Sequence, residues 1–513
     1  MPKKQEGVTY NEVDDSYFED RELSREVGIL GLWALGVGAV ISGDFFGWNF
    51  GLTAGGFVGL LIATIIVAVM YLGLASSIAE MSPALPHTGG AYSFGRTALG
   101  PWGGFITGLA ENMEYVITPA VIVVGISGYM NSITQALFSF GMPDPIWWAI
   151  FYAIFVGLNV WGVKESFWFT VFITFIALGI LSVFFIGAIS HFNLELALTV
   201  PADPGQTKIL PHGIKGIFMA LPFAIWFFLA IEELPLAAEE AKNPEEDLPK
   251  ATMLGIGTLL VTAFLTLFLS AGIPPGAAEV GQADNPLFLA FKTIFSGSVG
   301  PALLSLIAVA GLVASFHAII YAYGRNIYSL SRAGYFPRWL SPTHDDRKTP
   351  HIALIVGALV GYVAAVVIWL VPSDSPVGAM LLNMAVFGGV ISYVMQCLAF
   401  LKLRRDHPDL ERPYKAPLGV TGGVLGLIIA VVTLGALFLN PDYRLGVFGA
   451  ALWFMGGIIY FAVIGRHRMV RSPEEDIALA HRAKVKSTTE SDTGGDAGST
   501  AGSAAGSDVG GDT

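Results

Sequence analysis

Several side chains able to hold or move a charge sit inside otherwise apolar runs. Asp44 is the first, in G-V-G-A-V-I-S-G-D-F-F-G from Gly36 to Gly47. A carboxylate near a bilayer midplane costs roughly 2.5–3.5 kcal/mol on insertion scales, so stability is a poor reason for its presence. An opposite charge keeps a buried carboxylate ionised; Asp44 would either receive a cation or slip to the outer interface beside Trp48 and Asn49. Neighbouring Ser42 and Gly43 would present free backbone groups from the unwound turn. Glu111, Glu114 and Tyr115 share one helix face by their i, i+3, i+4 spacing, with Asn112 among them. Two buried carboxylates on one face should not both stay ionised. They are either structural hydrogen-bonders or a binding and proton-handling group. Glu232 and Glu233 are adjacent acids, so at most one is expected to touch a ligand. The Trp226-Phe227 pair before them either packs or caps a cation cavity, where a cation–π contact adds roughly 0.5–2 kcal/mol. His317, inside another apolar run, suits proton transfer by its chemistry, a satisfied core histidine being the plainer alternative.

The elements that must position these residues are membrane helices. The chain is 54% hydrophobic and 13% charged, with a mean hydropathy of +0.63; soluble domains carry about 25% charged residues. Apolar runs long enough to span recur near 28–54, 57–79, 99–130, 145–163, 166–190, 213–237, 249–273, 301–331, 351–371, 376–402, 417–438 and 443–465. The expected fold is an all-α membrane protein of roughly twelve transmembrane helices. The ten-residue alternation of an outer-membrane barrel is absent. Two spans are interrupted: the first by glycines around Asp44, the sixth by Glu232, Glu233 and Pro235. Broken helices at matching positions of two halves predict a five-plus-five inverted repeat with its site at the midplane. Repeat one would cover about 28–190, repeat two about 213–404, and two extra helices about 417–465.

With the amino terminus inside, only Lys208, Lys215, Lys292 and Arg444 of the 28 lysines and arginines fall outside. That bias predicts both termini in the cytoplasm of a plasma-membrane protein. Residues 1–27 are polar and acidic without an apolar signal region, so the first span is expected to direct insertion. Residues 466–513 read as a largely disordered acidic tail, with no basic residue after Ser487. The single Cys397 excludes an internal disulfide framework and a cysteine metal cluster. The formal charge of −12 crowds into the termini and one loop and does not suggest nucleic acid. Nucleotide-loop, zinc-protease and dinucleotide fingerprints are missing. No enzyme activity, cofactor or metal is expected.

Several runs carry a resemblance. The first break, P-H-T-G-G-A-Y-S-F from Pro86, N-V-W-G-V-K from Asn159, A-E-E-A-K-N-P from Ala238 and G-R-N-I-Y-S-L-S-R-A-G-Y-F-P from Gly324 resemble the amino acid–polyamine–organocation superfamily, in order across about 28–465. The resemblance implies the inverted-repeat fold and alternating access by secondary transport. It also implies that the usual first-break triplet G-S-G, which cradles a substrate carboxylate, is here Ser42-Gly43-Asp44. Trp226 matches an aromatic that occludes cationic substrates, and Glu232 matches the family's sixth-helix glutamate. A coupling lysine of some relatives falls at Ala177. The runs S-G-D-F-F-G-W-N, A-Y-S-F-G-R and A-E-N-M-E-Y look most like the ethanolamine permease subgroup.

The expectation is a carrier importing ethanolamine or a similar small amine, in contact with membrane lipid. Asp44 would meet the ammonium, aided by Glu111 or Glu114. Ser42 or Asn112 would bind the hydroxyl, and Trp226 would close the cavity. Glu111, Glu114 or His317 would handle a coupling proton, with sodium or exchange as alternatives. An amino acid or polyamine permease or exchanger is the alternative cargo reading. A non-transporting nutrient sensor and a lipid-headgroup enzyme are the alternatives from other classes.

Overall fold

The computed structural model describes residues 3–14, 16–283, 285–294, 301–370, 377–480 and 483–484. Among them, ten helices are long and apolar enough to cross a membrane, and two shorter apolar ones, Ile29–Phe45 and His351–Val367, match the remaining expected spans. We label the membrane helices α1 (Ile29–Val40), α2 (Phe50–Ala84), α3 (Pro101–Phe138), α4 (Asp144–Trp161), α5 (Val163–Ile189), α6 (Gly213–Ala224), α7 (Pro244–Ala271), α8 (Pro301–Arg332), α9 (His351–Leu370), α10 (Val377–Asp406), α11 (Gly419–Leu439) and α12 (Arg444–Val463). Their outward faces carry exposed Trp168, Phe172, Ile186, Leu359, Phe448 and Ile459. Such a surface is stable only against hydrocarbon, and helices alone satisfy their own backbone there. The protein is a multi-pass membrane protein.

Two helices are discontinuous, and they are the two expected. After Val40 the chain makes only a single helical turn, Ser42–Phe45, before α2 begins at Phe50. The opening residues of α2 complete the first span, because the chain kinks at Gly56 (φ 70°, ψ 174°) before descending as the second. In the sixth span, α6 gives way to tight turns at Ile225–Phe227 and Ile231–Ala237, separated by Ala230 at φ 85°. A left-handed alanine is uncommon and is held only where its surroundings enforce it.

The packing pattern repeats with an offset of five helices. The contact of α2 with α6 is matched by α7 with α1, and that of α3 with α10 by α8 with α5. Helices α2, α3 and α4 also pack on their own counterparts α7, α8 and α9. Two halves related by a two-fold axis produce this pattern.

The described segments near both termini, 3–14 and 466–480, fold onto one end of the bundle. Strands β1 (Lys3–Gln5) and β2 (Val8–Asn11) form an antiparallel hairpin, and β3 (Met469–Val470) adds to it in parallel. A helix at 473–480 follows. The region expected to be largely disordered from residue 466 onward is therefore folded to 480; the stretch from Ser487 to Thr513 lies outside the described residues. The difference has a plain cause. Glu474 and Glu475, within that stretch, are each buried on an arginine of the bundle.

Candidate functional site between the broken helices

The two interruptions face one another. A Cβ placed on Gly43 would stand 1.7 Å from the Trp226 carbonyl oxygen, so only glycine admits this approach. Gly47, at φ +93°, would bring a Cβ to 2.9 Å from the Trp226 indole. Ser315 of α8 spans the first break: its Oγ accepts from the Ser42 amide at 3.0 Å and donates to the Gly38 carbonyl at 2.9 Å. The backbone groups freed by unwinding are thereby satisfied within the protein, as bilayer depth requires.

Between the breaks lies a small cavity of about 10 Å3, room for the centre of about one water molecule. Ser42, Gly43, Glu114, Thr118, Trp226 and Ala230 are among its lining residues. Above it, toward the end of the bundle away from the chain termini, a vestibule of about 560 Å3 reaches Phe46, Tyr129, Asn285 and Phe288. The rings of Phe46 and Trp226, 6.0 Å apart at their centroids, stand between the two spaces.

The carboxyl groups of Glu111, Glu114, Glu232 and Glu233 are all buried near one another. Tyr115 donates to Glu111 Oε1 at 3.5 Å, and Asn326 Nδ2 donates to Oε2 at 3.4 Å. Tyr393 donates to Glu232 Oε1 at 3.1 Å and in turn accepts from Tyr71 at 3.0 Å. Glu114 differs: no donor among the described residues reaches either of its oxygens. Its carboxyl instead lies against that of Glu232, a contact that is a hydrogen bond only when one of the pair holds a proton. Glu233 also lacks a donor at both oxygens. Four acids in so small a volume cannot all be ionised together without cations among them.

The expected site residues separate into two sets. Ser42, Gly43, Glu114 and Trp226 meet at the cavity, with Glu111 and Glu232 immediately behind Glu114. Asn112 is committed elsewhere, donating to Asn326 Oδ1 at 3.0 Å and tying α3 to α8. Phe227 stacks on Trp48 with centroids 5.3 Å apart. His317 sits between the rings of Phe155 and Phe169, with Nδ1 3.1 Å from Asn159 Nδ2 and Nε2 3.1 Å from Ser166 Oγ. Both its nitrogens have partners, so it fastens α8 to α4 and α5. Asp44 is buried, but its carboxyl turns toward the hydroxyls of Thr262 and Thr266 on α7. Thr118, Ser315, Tyr71 and Tyr393 complete the site and were not anticipated. Thr118 lies one helical turn beyond Glu114, which was the available signal.

The end bearing the termini is closed by ion pairs. Glu475 Oε2 takes Arg96 Nε at 2.6 Å and Tyr10 at 2.7 Å, while Tyr335 donates to Oε1 at 2.8 Å. Arg332 pairs with both oxygens of Glu239, at 2.9 and 2.5 Å, and with Glu474 at 2.5 Å. Burial alone would raise the Glu239 carboxyl, but the Arg332 charge overrides it and draws it down to about 2. The end bearing the termini is thus sealed by these pairs, while the vestibule opens at the other end.

Similar proteins agree with this architecture. A family profile described as amino acid permease matches residues 31–471. The chain is 28% identical over 442 residues to an uncharacterised transporter of Rhizobium meliloti (strain 1021), covering 84% of this chain and 92% of that protein. It is 29% identical over 473 residues to the branched-chain amino acid permease BcaP of Bacillus subtilis (strain 168), covering 87% and 95%. It is 26% identical over 471 residues to the methylthioribose transporter of the same organism, covering 88% and 96%. The chain belongs to the amino acid permease family, within the amino acid–polyamine–organocation superfamily, and is a membrane transporter rather than an enzyme.

Proposed function

We propose that this transporter imports a small organic amine, ethanolamine or a near relative, across the plasma membrane by alternating access, with both termini in the cytoplasm. The observation that carries the reading is Glu114, a buried carboxyl on the cavity wall that no donor among the described residues reaches. An ammonium group would supply the missing donors and charge, and Trp226 would lie over it as a lid. Ser42 and Thr118 offer hydroxyls for the alcohol end. A substrate carboxylate is poorly served by contrast. The Ser42 amide is already held by Ser315, and the cavity wall bears an acid. This moves the ammonium partner from Asp44, the expectation from sequence, to Glu114.

A second reading, transport of an amino acid, is favoured by the name of the branched-chain relative. The two separate in one experiment. Uptake of labelled ethanolamine by cells expressing the protein should be competed by propanolamine and resist leucine and phenylalanine. Strong competition by leucine, with no ethanolamine uptake, would replace the amine reading with an amino acid one.

A further inference from the structure

A second large cavity, of about 580 Å3, opens between the helix Gly90–Leu99, the end of α10 and the start of α11. It shares no lining residue with the substrate cavity or the vestibule. Ile477 packs beside Leu99 and Leu401, which places it at the end of the bundle bearing the termini. One wall is apolar: Leu99, Leu398, Leu401 and Val420, with Leu398 37% and Val420 50% exposed. The other wall is cationic, made of Lys402, Arg404 and Arg405 from the end of α10.

These cations are held in position. Arg404 donates through Nε to Glu80 Oε1 at 2.9 Å, its guanidinium 5.2 Å from the centre of the Phe400 ring. Arg412 meets the same Glu80 oxygen at 3.0 Å. Asp406 takes Lys402 at 2.9 Å and Arg405 at 2.7 Å. Four cations thus share two carboxylates, and the cluster keeps two positive charges in excess. Surplus positive charge beside leucine and valine that face hydrocarbon matches a ligand with an anionic head and apolar chains. A free phosphate would satisfy the cations and leave the apolar wall bare. We propose that this cavity seats an anionic phospholipid of the leaflet on the terminus side. Its phosphate meets Lys402, Arg404 and Arg405, and an acyl chain lies along Leu398 and Val420.

Occupancy bears on transport through two helices. Tyr393, three turns before Arg404 on α10, donates to Glu232 behind the substrate cavity. Glu80 lies in the last turns of α2, which also carries Tyr71, the partner of Tyr393. A lipid that fixes the ends of α2 and α10 steadies both tyrosines. The inference rests on the chain's being a membrane protein and not on its cargo.

The test uses purified full-length protein in a neutral detergent. It is titrated with phosphatidylglycerol, with phosphatidylcholine of the same chains, and with sodium phosphate. Unfolding temperature and lipid retained in native mass spectrometry are read for each. Phosphatidylglycerol should raise the unfolding temperature and stay bound, because a ligand of the folded state stabilises it; the other two should do neither. Lys402→Gln/Arg405→Gln, which removes the two excess charges, should weaken phosphatidylglycerol binding about 30-fold. Val420→Trp fills the cavity from an exposed position without touching a charge, and should lower retention as well. Equal stabilisation by phosphatidylcholine would overturn the proposal. So would the same effect from sodium phosphate, which would make the ligand a free anion. Undiminished binding in either variant would overturn it too, since lipid would then be held elsewhere or by diffuse charge alone.

Discussion

Glu114 and Gly43 decide what the cavity can hold. Removing one partner of a buried ion pair costs about 3–5 kcal/mol, so Glu114→Gln should raise KM for an ammonium substrate at least about 100-fold. Concentration-dependent uptake at matched surface expression measures this, and a KM within threefold of wild type would remove Glu114 from the site. Gly43→Ala acts through shape alone. Its new methyl group would collide with the Trp226 carbonyl, so transport should be lost. Gly179→Ala, where a Cβ meets nothing within 4 Å, should transport normally and serves as the control for alanine itself.

Among elements, the contact of α8 with the first break is the one to probe. Ser315→Ala would leave the Ser42 amide and the Gly38 carbonyl without their partner; each unsatisfied buried group costs about 1–3 kcal/mol. A lower unfolding temperature in detergent is expected, and no change would mean the break satisfies itself. Much at this scale was legible in the sequence. Uninterrupted apolar runs located the spans, and glycine with Asp44, or glutamate with Pro235, located the two breaks. Side-chain direction inside a break was not legible, because an unwound segment has no helical period to extrapolate. The sequence therefore points Asp44 at the cargo, whereas the cavity is lined by its neighbours Ser42 and Gly43. Ser315 escaped notice for a related reason: a serine in an apolar helix acquires its role from a partner 273 residues away. His317 has Asn159 and Ser166 on its two nitrogens, contacts that its position in an apolar run does not reveal.

At the scale of the whole molecule, the vestibule is open and the face bearing the termini is pinned by Glu239, Glu474 and Glu475 on Arg332 and Arg96. These contacts must part before cargo can leave on that side. Glu239 titrates at about 2 here against an ordinary value of 4.5. Its contribution to stability is thus fully present above pH 4.5 and declines as pH falls toward 2. Glu239→Gln should flatten that part of the unfolding-temperature profile between pH 5 and about 3; an unaltered profile would show that the pair does not bear on stability. The strand made by the first residues carries a further consequence. It pairs with Met469 and Val470, and Tyr10 with Glu475, so the opening segment emerges from the ribosome hundreds of residues before its partner exists. The seal at this end cannot form until Glu475 has been made, and a newly made chain remains unlatched until then.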